Sequence, residues 1–236
     1  MTQALALAQD LVEFGRDGAD LQVLFLGLLM RGFALARIGR LQEVIAYAQQ
    51  AIELGEAIPD YAGRVGAGVH LGQCYLRQGN LQAALAELET SRRVSLEHHV
   101  REPSNNAKLR NGLADAYLLA AEQSDESERA DWLNQAGRAC TAALKQATAF
   151  RGGRPEAMRL QGRYEWLTGQ PAAAKKWWQR SLAEAEAKSM RYELGMTHLE
   201  MGQRLDERAH LEKAEALFAE IGAELDLARA LELLRK

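Results

Sequence analysis

The chain has 236 residues, 47% of them hydrophobic and 26% charged, with only four prolines, a composition that suits a folded, mainly helical body and excludes a disordered chain. A formal net charge of −3, with no block of like charge at either end, gives no general attraction to nucleic acid or to an anionic membrane, and neither is expected as a partner. Cys74 and Cys140, the two cysteines, have neither metal-site spacing nor the density of a secreted disulfide framework, and fit a reducing cytoplasm.

In chain order, the opening "MTQALALAQDLVEFG" lacks the basic region and cleavage site of a signal peptide and reads as a helix. The most apolar stretch, "LQVLFLGLLMRGFALA" from Leu21, is broken by Gln22 and Arg31 and falls short of the roughly 18 uninterrupted apolar residues of a spanning helix. From Arg37 the chain reads "RIGRLQEVIAYAQQAIEL", and from Arg77 it says nearly the same again, "RQGNLQAALAELETSRRV". Four glycines mark the end of a first helix in successive copies, namely Gly39, Gly79, Gly169 and Gly202. Seven residues before each sits another, Gly32, Gly72, Gly162 and Gly195, where a small residue lets a paired helix approach. A second helix is predicted after each turn, over 41–54, 81–96, 171–188 and 208–221.

Between the second and third of these copies lies a degenerate one, "LRNGLADAYLLAAEQ", with Ala114 at the small position and Tyr117 three on, as Tyr75 follows Gly72. Its longer turn, "SDESERAD", offers Asp125 and Glu128 as an N-terminal cap for a helix running through Trp132 to about residue 149. Pro155 and Pro171 suit the first turn of a helix, where a missing N–H is harmless, while Pro59 and Pro103 fall between units. About twelve helices and no strands are predicted, with breaks near Pro59, Pro103, 151–155 and Gly222, and a lone last helix over 224–234.

These residues resemble the tetratricopeptide repeats, whose pattern has Gly or Ala eighth, Tyr eleventh, Ala twentieth and Phe or Tyr twenty-fourth. Leu71, Gly72, Tyr75, Ala84 and Leu88 follow it, as do Gly162, Ala174 and Trp178. The departures are small-residue spacings of 33 to 48 in place of a steady 34, and Glu165 and His198 where tyrosine is usual. The resemblance implies an all-α, right-handed superhelical array of about five antiparallel helical hairpins with a C-terminal capping helix, forming one domain over 1–236. The last 50 or so residues also resemble the repeat region that closes large bacterial cyclase or kinase–ATPase signalling proteins. On this register the first helix is a second helix without its partner, so the chain reads either as a region of a longer protein or as one closed by an N-terminal cap. An apolar face near residues 4–12 would favour self-association.

Catalytic chemistry finds little footing. "GAGVHLG", residues 66–72, has the wrong glycine spacing for a phosphate loop and no preceding strand, so tight helix packing is expected. "RGGR", residues 151–154, lacks a Walker lysine and reads as a turn. His70 and Cys74 lie one turn apart but have no third ligand nearby, and His98 and His99, being adjacent, diverge on a helix. Glu87 and Glu89 read as a solvated face. No enzyme activity, metal or cofactor is expected.

Function is then expected at the surface. The resemblance makes the first helices line a concave groove, whose inner positions here include Leu26, Leu29, Phe33, Ala36 and Arg37, then Val69, Gln73, Leu76 and Arg77. Asn111 and Asp115, then Arg159, Arg163 and Trp166, then Tyr192 and Glu200 continue it. Phe33 and Leu29 suit either a groove or a core. Arg159 and Arg163 project from one face beside Trp166 and could grip a carboxylate, or could be neutralised by Glu156 and Glu165 on a solvated face. Trp178 takes the packing position and leaves Trp177 nearer the convex surface, where it meets a partner or another copy or is covered by Lys and Arg stems. The expected role is a non-catalytic protein–protein interaction module, binding a peptide or partner domain in the groove and regulating a bacterial signalling protein. The alternative is a sensor of a small-molecule effector.

Overall fold

The computed structural model describes residues 2–58 and 60–235, without the side chains of residues 2–4, 37 and 56. The described residues form twelve α-helices and no strand: α1 (Thr2–Asp17), α2 (Leu21–Ile38), α3 (Leu41–Ala57), α4 (Tyr61–Arg77), α5 (Leu81–Glu97), α6 (Pro103–Gln123), α7 (Glu126–Gln146), α8 (Arg154–Leu167), α9 (Pro171–Ala187), α10 (Arg191–Leu205), α11 (Arg208–Ile221) and α12 (Glu224–Leu234). A 3₁₀ turn, Arg151–Gly153, precedes α8. None of these helices is long and apolar enough to cross a membrane.

The local signals for starts and stops act as the sequence predicts in most places. Asp125 caps α7, its carboxylate accepting from the N–H groups of Ser127 at 3.0 Å and Glu128 at 3.2 Å. Asp20 and Asn80 do the same for α2 and α5. Gly39, Gly79, Gly169 and Gly222 adopt positive φ at the ends of first or second helices, where a side chain would be strained. Gly202 does not: α10 runs through it to Leu205 and ends at Asp206, with φ of 55°. The fifth hairpin is therefore longer than predicted, and Gly202 faces Leu211, whose Cδ2 would lie 2.5 Å from an added Cβ. Pro103 opens α6 rather than lying between units, and Pro59 lies outside the described residues.

The chain divides into two compact units, Met1–Gly112 and Leu113–Lys236, the division falling within α6. In the first, α1 packs on α2, and α2 with α3 and α4 with α5 form hairpins. Val12, Phe25, Leu28, Ala51 and Ala67 make one core cluster there, and Leu35, Leu41, Val44 and Cys74 another. Gly72 permits the α4–α5 contact, since an added Cβ would meet Leu88 Cγ at 2.6 Å. The glycines of "GAGVHLG" thus serve packing, Gly68 against Ser91 and Gly66 against Asn105. At Gly32 nothing lies closer than 4.0 Å, so close approach is not required in that copy.

In the second unit α8 pairs with α9, α10 with α11, and α12 packs on α11. Trp178 is fully buried and donates from Nε1 to the Arg159 carbonyl at 3.1 Å, its ring lying against Gly162. Phe218 fills the same role against Gly195. Ser181 donates to the Pro155 carbonyl at 2.8 Å and shares a 2.9 Å hydrogen bond with Thr197, so α8, α9 and α10 are joined through buried hydroxyls. The degenerate hairpin is real, with Ala114, Leu118, Ala136, Cys140 and Leu160 in one cluster and Tyr117 stacked at 6.1 Å on Trp132.

Candidate functional site

The inner positions of the first helices have different fates in the two units. In unit 1, α2 presents Leu26 and Met30 to solvent, 46% and 48% exposed, with Phe33 half-buried on the same stripe. The Phe33 ring meets His70 of α4 edge-on at 5.5 Å, and Lys108 of α6 places its ammonium 4.6 Å from the ring centre. His70 thus packs on an aromatic ring. Among the described residues no cluster of His, Cys, Asp and Glu could hold a metal. Arg77 donates from Nη1 to the Ala36 carbonyl at 2.6 Å, satisfying a carbonyl near the end of α2 and tying α4 to it. Gln73 is half-buried beside Gly112, and Asn111 is buried. Arg37 lies in α2, but its side chain is outside the described residues.

In unit 2 the corresponding positions pair with one another. Arg159 and Arg163 are buried, 4% and 8% exposed, rather than open to a ligand. Arg163 Nη1 donates to Asp115 Oδ1 at 2.7 Å, and its guanidinium also bonds Glu122. Glu200 accepts from Arg159 at 3.4 Å and from Arg204 at 3.1 Å, and Arg204 reaches back to Glu122. Three arginines and three carboxylates from α6, α8 and α10 therefore form one network. Burial alone would lower the pKa of Arg163, but Glu200, Asp115 and Glu122 outweigh it and hold the group above its ordinary value. Burial pushes the Glu200 carboxyl up, yet the three arginines keep it below the usual carboxylate range. The hydrogen-bonded partners are acids distant in the chain, 41 and 48 residues away, while the local Glu156 adds only its field at Arg159.

The predicted aromatics of this unit lean on the core. Trp166 lies 6.0 Å from Trp178 and packs with Ala174 and Met201, while Tyr192 lies 6.1 Å from Phe218. Glu122, Arg204 and Lys108 were missed by sequence reasoning. Glu122 is seven residues beyond Asp115 and Arg204 four beyond Glu200, so each shares a helix face with a residue already singled out. His198 and His210 form a second polar pair, Nδ1 to Nδ1 at 2.7 Å. Burial, then His210 and Lys213, push His198 down to about 4. Both cysteines are buried, and burial raises the thiols to about 11 at Cys74 and about 12 at Cys140, so neither is a thiolate at neutral pH.

No protein-family model and no curated protein matches the chain. Among solved structures it is similar to a thermophilic tetratricopeptide protein of Thermus thermophilus, with 21% identity and a TM-score of 0.58, covering 90% of this chain and 100% of that one. It is also similar to BtubC (BKLC) from P. vanneervenii, with 16% identity and a TM-score of 0.62, covering 99% of this chain and 92% of that one. At such identities the likeness is one of fold alone: the chain is an all-α protein built of helical hairpins, as these two structures are.

Proposed function

We propose that the chain is a non-catalytic protein-interaction module that binds a peptide segment of a partner protein along the first-helix face of unit 1. The observation that carries this reading is the open apolar stripe of α2, Leu26, Met30 and Phe33, continued by His70 of α4 and Lys108 of α6. Such a stripe edged by a cation suits a segment with apolar anchors and a carboxylate. The matching positions of unit 2 are already occupied by the chain's own ion pairs. The protonated, buried thiols leave neither cysteine as a nucleophile, in keeping with this reading. Regulation of a bacterial signalling protein belongs to the same reading, supported by the resemblance of the last 50 or so residues to the repeat regions that close such proteins.

The test is selection of binders from a displayed random peptide library, followed by titration of the retained peptides. Phe33→Ala should weaken them by about tenfold or more with helicity retained, and amide shifts should map to α2 and α4. Peptides that bind the parent and Phe33→Ala equally would overturn the assignment.

A further inference from the structure

In the second unit, the C-terminal end of α7, the 3₁₀ turn, the start of α8 and the middle of α9 line a cleft of about 730 Å³. Leu144, Ala147, Met158 and Ala183 give it apolar walls, with Trp177 across them. Arg151, Arg154 and Arg180 line it against a single carboxylate, Glu184. That carboxylate is already committed to Lys188 at 2.6 Å and to Arg154 at 3.7 Å, and the Lys188 hydrogen bond holds its pKa below the usual range, with burial opposing, so Arg151 and Arg180 are the cations left without it. Arg180 lies over the Trp177 ring, 4.9 Å from its centre, so the cation and the aromatic side chain together form one wall of the cleft. The cleft therefore calls for a ligand that is apolar and acidic in alternation.

The chain carries such a surface itself. Leu7, Asp10, Phe14 and Asp17 follow one another at helical spacing along the exposed face of α1, with Glu13 beside them. Leu7 and Phe14 are 58% and 67% exposed, among the largest apolar exposures described, whereas Val12 on the opposite face is buried against α2. Apolar side chains on this stripe match the apolar walls, and its carboxylates match Arg151 and Arg180. Acidic α1 and cationic cleft belong to different units, so the two surfaces complement each other without either complementing itself.

We propose that the protein assembles head to tail, the outer face of α1 of one copy seating in the Trp177 cleft of the next. Because the two patches differ, the contact is heterologous, and each copy retains one unused α1 and one unused cleft from which the assembly grows. Long-range attraction between the opposite charges speeds encounter and weakens with salt.

The experiment is sedimentation velocity on the 236-residue chain over roughly a hundredfold range of concentration, at low and raised salt. The mass should climb with concentration through dimers to larger species, and fall when salt is added. Phe14→Asp and Arg180→Glu each alter an exposed side chain, and each should leave a folded monomer of 26.1 kDa. Mixing the two should give a one-to-one dimer and nothing larger, since only the intact α1 of one and the intact cleft of the other can meet. A fluorescent peptide of residues 1–19 should bind the parent and bind Arg180→Glu at least about tenfold more weakly. A parent that stays monomeric throughout, variants that do not pair on mixing, or a peptide indifferent to Arg180 would each overturn the proposal. Loss of peptide selection at Phe33 would leave it intact, because Phe33 belongs to neither patch.

Discussion

The first-helix faces of the two units occupy the same places in the repeat and behave in opposite ways. In unit 1 the face is an apolar stripe with a half-buried ring under a lysine. In unit 2 it is closed by a buried network of six charged side chains drawn from three helices. A repeat register therefore says where a groove can be but not whether it is open. What decides is the partner set: a guanidinium already satisfied by three carboxylates gains little from a fourth, whereas an exposed apolar side chain gains from any cover.

The largest expected effect breaks the closed face. Removing one member of a buried, hydrogen-bonded ion network strands the others, so Arg163→Ala should cost about 3 to 5 kcal/mol, read as a fall in thermal or denaturant midpoint. Arg163→Met, which fills the volume without charge, should do almost as badly, since Asp115 loses its hydrogen-bonded partner and Glu122 and Glu200 are left with only Arg159 and Arg204. A midpoint within error of the parent would mean that these arginines are solvated and available to a ligand.

Next come the glycines. Gly162→Ala would press a methyl against Trp178 Nε1, well inside van der Waals contact with a rigid and fully buried ring, and overpacking of this kind costs roughly 1 to 3 kcal/mol. The contrasting change is Gly32→Ala in unit 1, where nothing lies closer than 4.0 Å and the gain in helix propensity should stabilise by about 0.5 to 1 kcal/mol. Opposite signs at equivalent repeat positions sharpen the comparison; equal signs would mean that the register is misread in one unit.

What was legible in the sequence follows from this. Gly72 and Gly162 were readable because a small residue recurs at a fixed distance before a turn and its partner, Leu88 or Trp178, lies at the matching place in the second helix. Gly202 misled because a glycine seven residues after another small residue fits either a turn or a second close contact, and Asp206 can take the left-handed conformation in its stead. The network was hidden for a different reason. Local spacing shows Arg159 and Arg163 with Glu156 and Glu165, but the hydrogen-bonded partners lie 41 and 48 residues away and only folding brings them in. The cleft at Trp177 draws on three helices and a turn, and no single segment announces it.

A smaller effect should appear with pH. In the neutral pair one imidazole donates to the other, but two imidazoliums offer only donors and repel. Lys213 adds to this repulsion and Lys175 also faces His210, while Glu207, 3.3 Å from His210, partly offsets it. The folded pKa of His198, about 4, lies below the ordinary 6.5, so the unfolded chain takes up the proton first. Stability is therefore full above about pH 6.5 and declines as pH falls toward 4, by on the order of 1 kcal/mol once solvent screening of the partly exposed rings is allowed for. His198→Tyr, which restores the residue usual at this repeat position, should flatten that part of the profile. Melting curves of the two proteins at pH 7 and pH 5 that stay parallel would remove the histidines from the account.

The smallest expected effect lies on the open face, and its smallness is the point. Lys108 over Phe33 is a cation–π contact at a partly solvated site, worth about 0.5 to 1 kcal/mol, because water competes for the ammonium and the ring keeps its packing on His70 when the lysine is gone. Lys108→Met and Phe33→Leu, alone and together, form a cycle whose coupling energy should fall in that range. The same cycle on Arg159 and Glu200, built with Arg159→Met and Glu200→Gln, should give several times more, since both groups are buried and 3.4 Å apart. A ligand that covers Phe33 displaces water from the lysine and strengthens its hold on the ring, so the Lys108–Phe33 coupling should grow in the presence of a bound peptide while the Arg159–Glu200 coupling stays fixed. Couplings of equal size in the free protein would mean that the first-helix face of unit 1 is as closed as that of unit 2, and that the binding surface lies elsewhere on the chain.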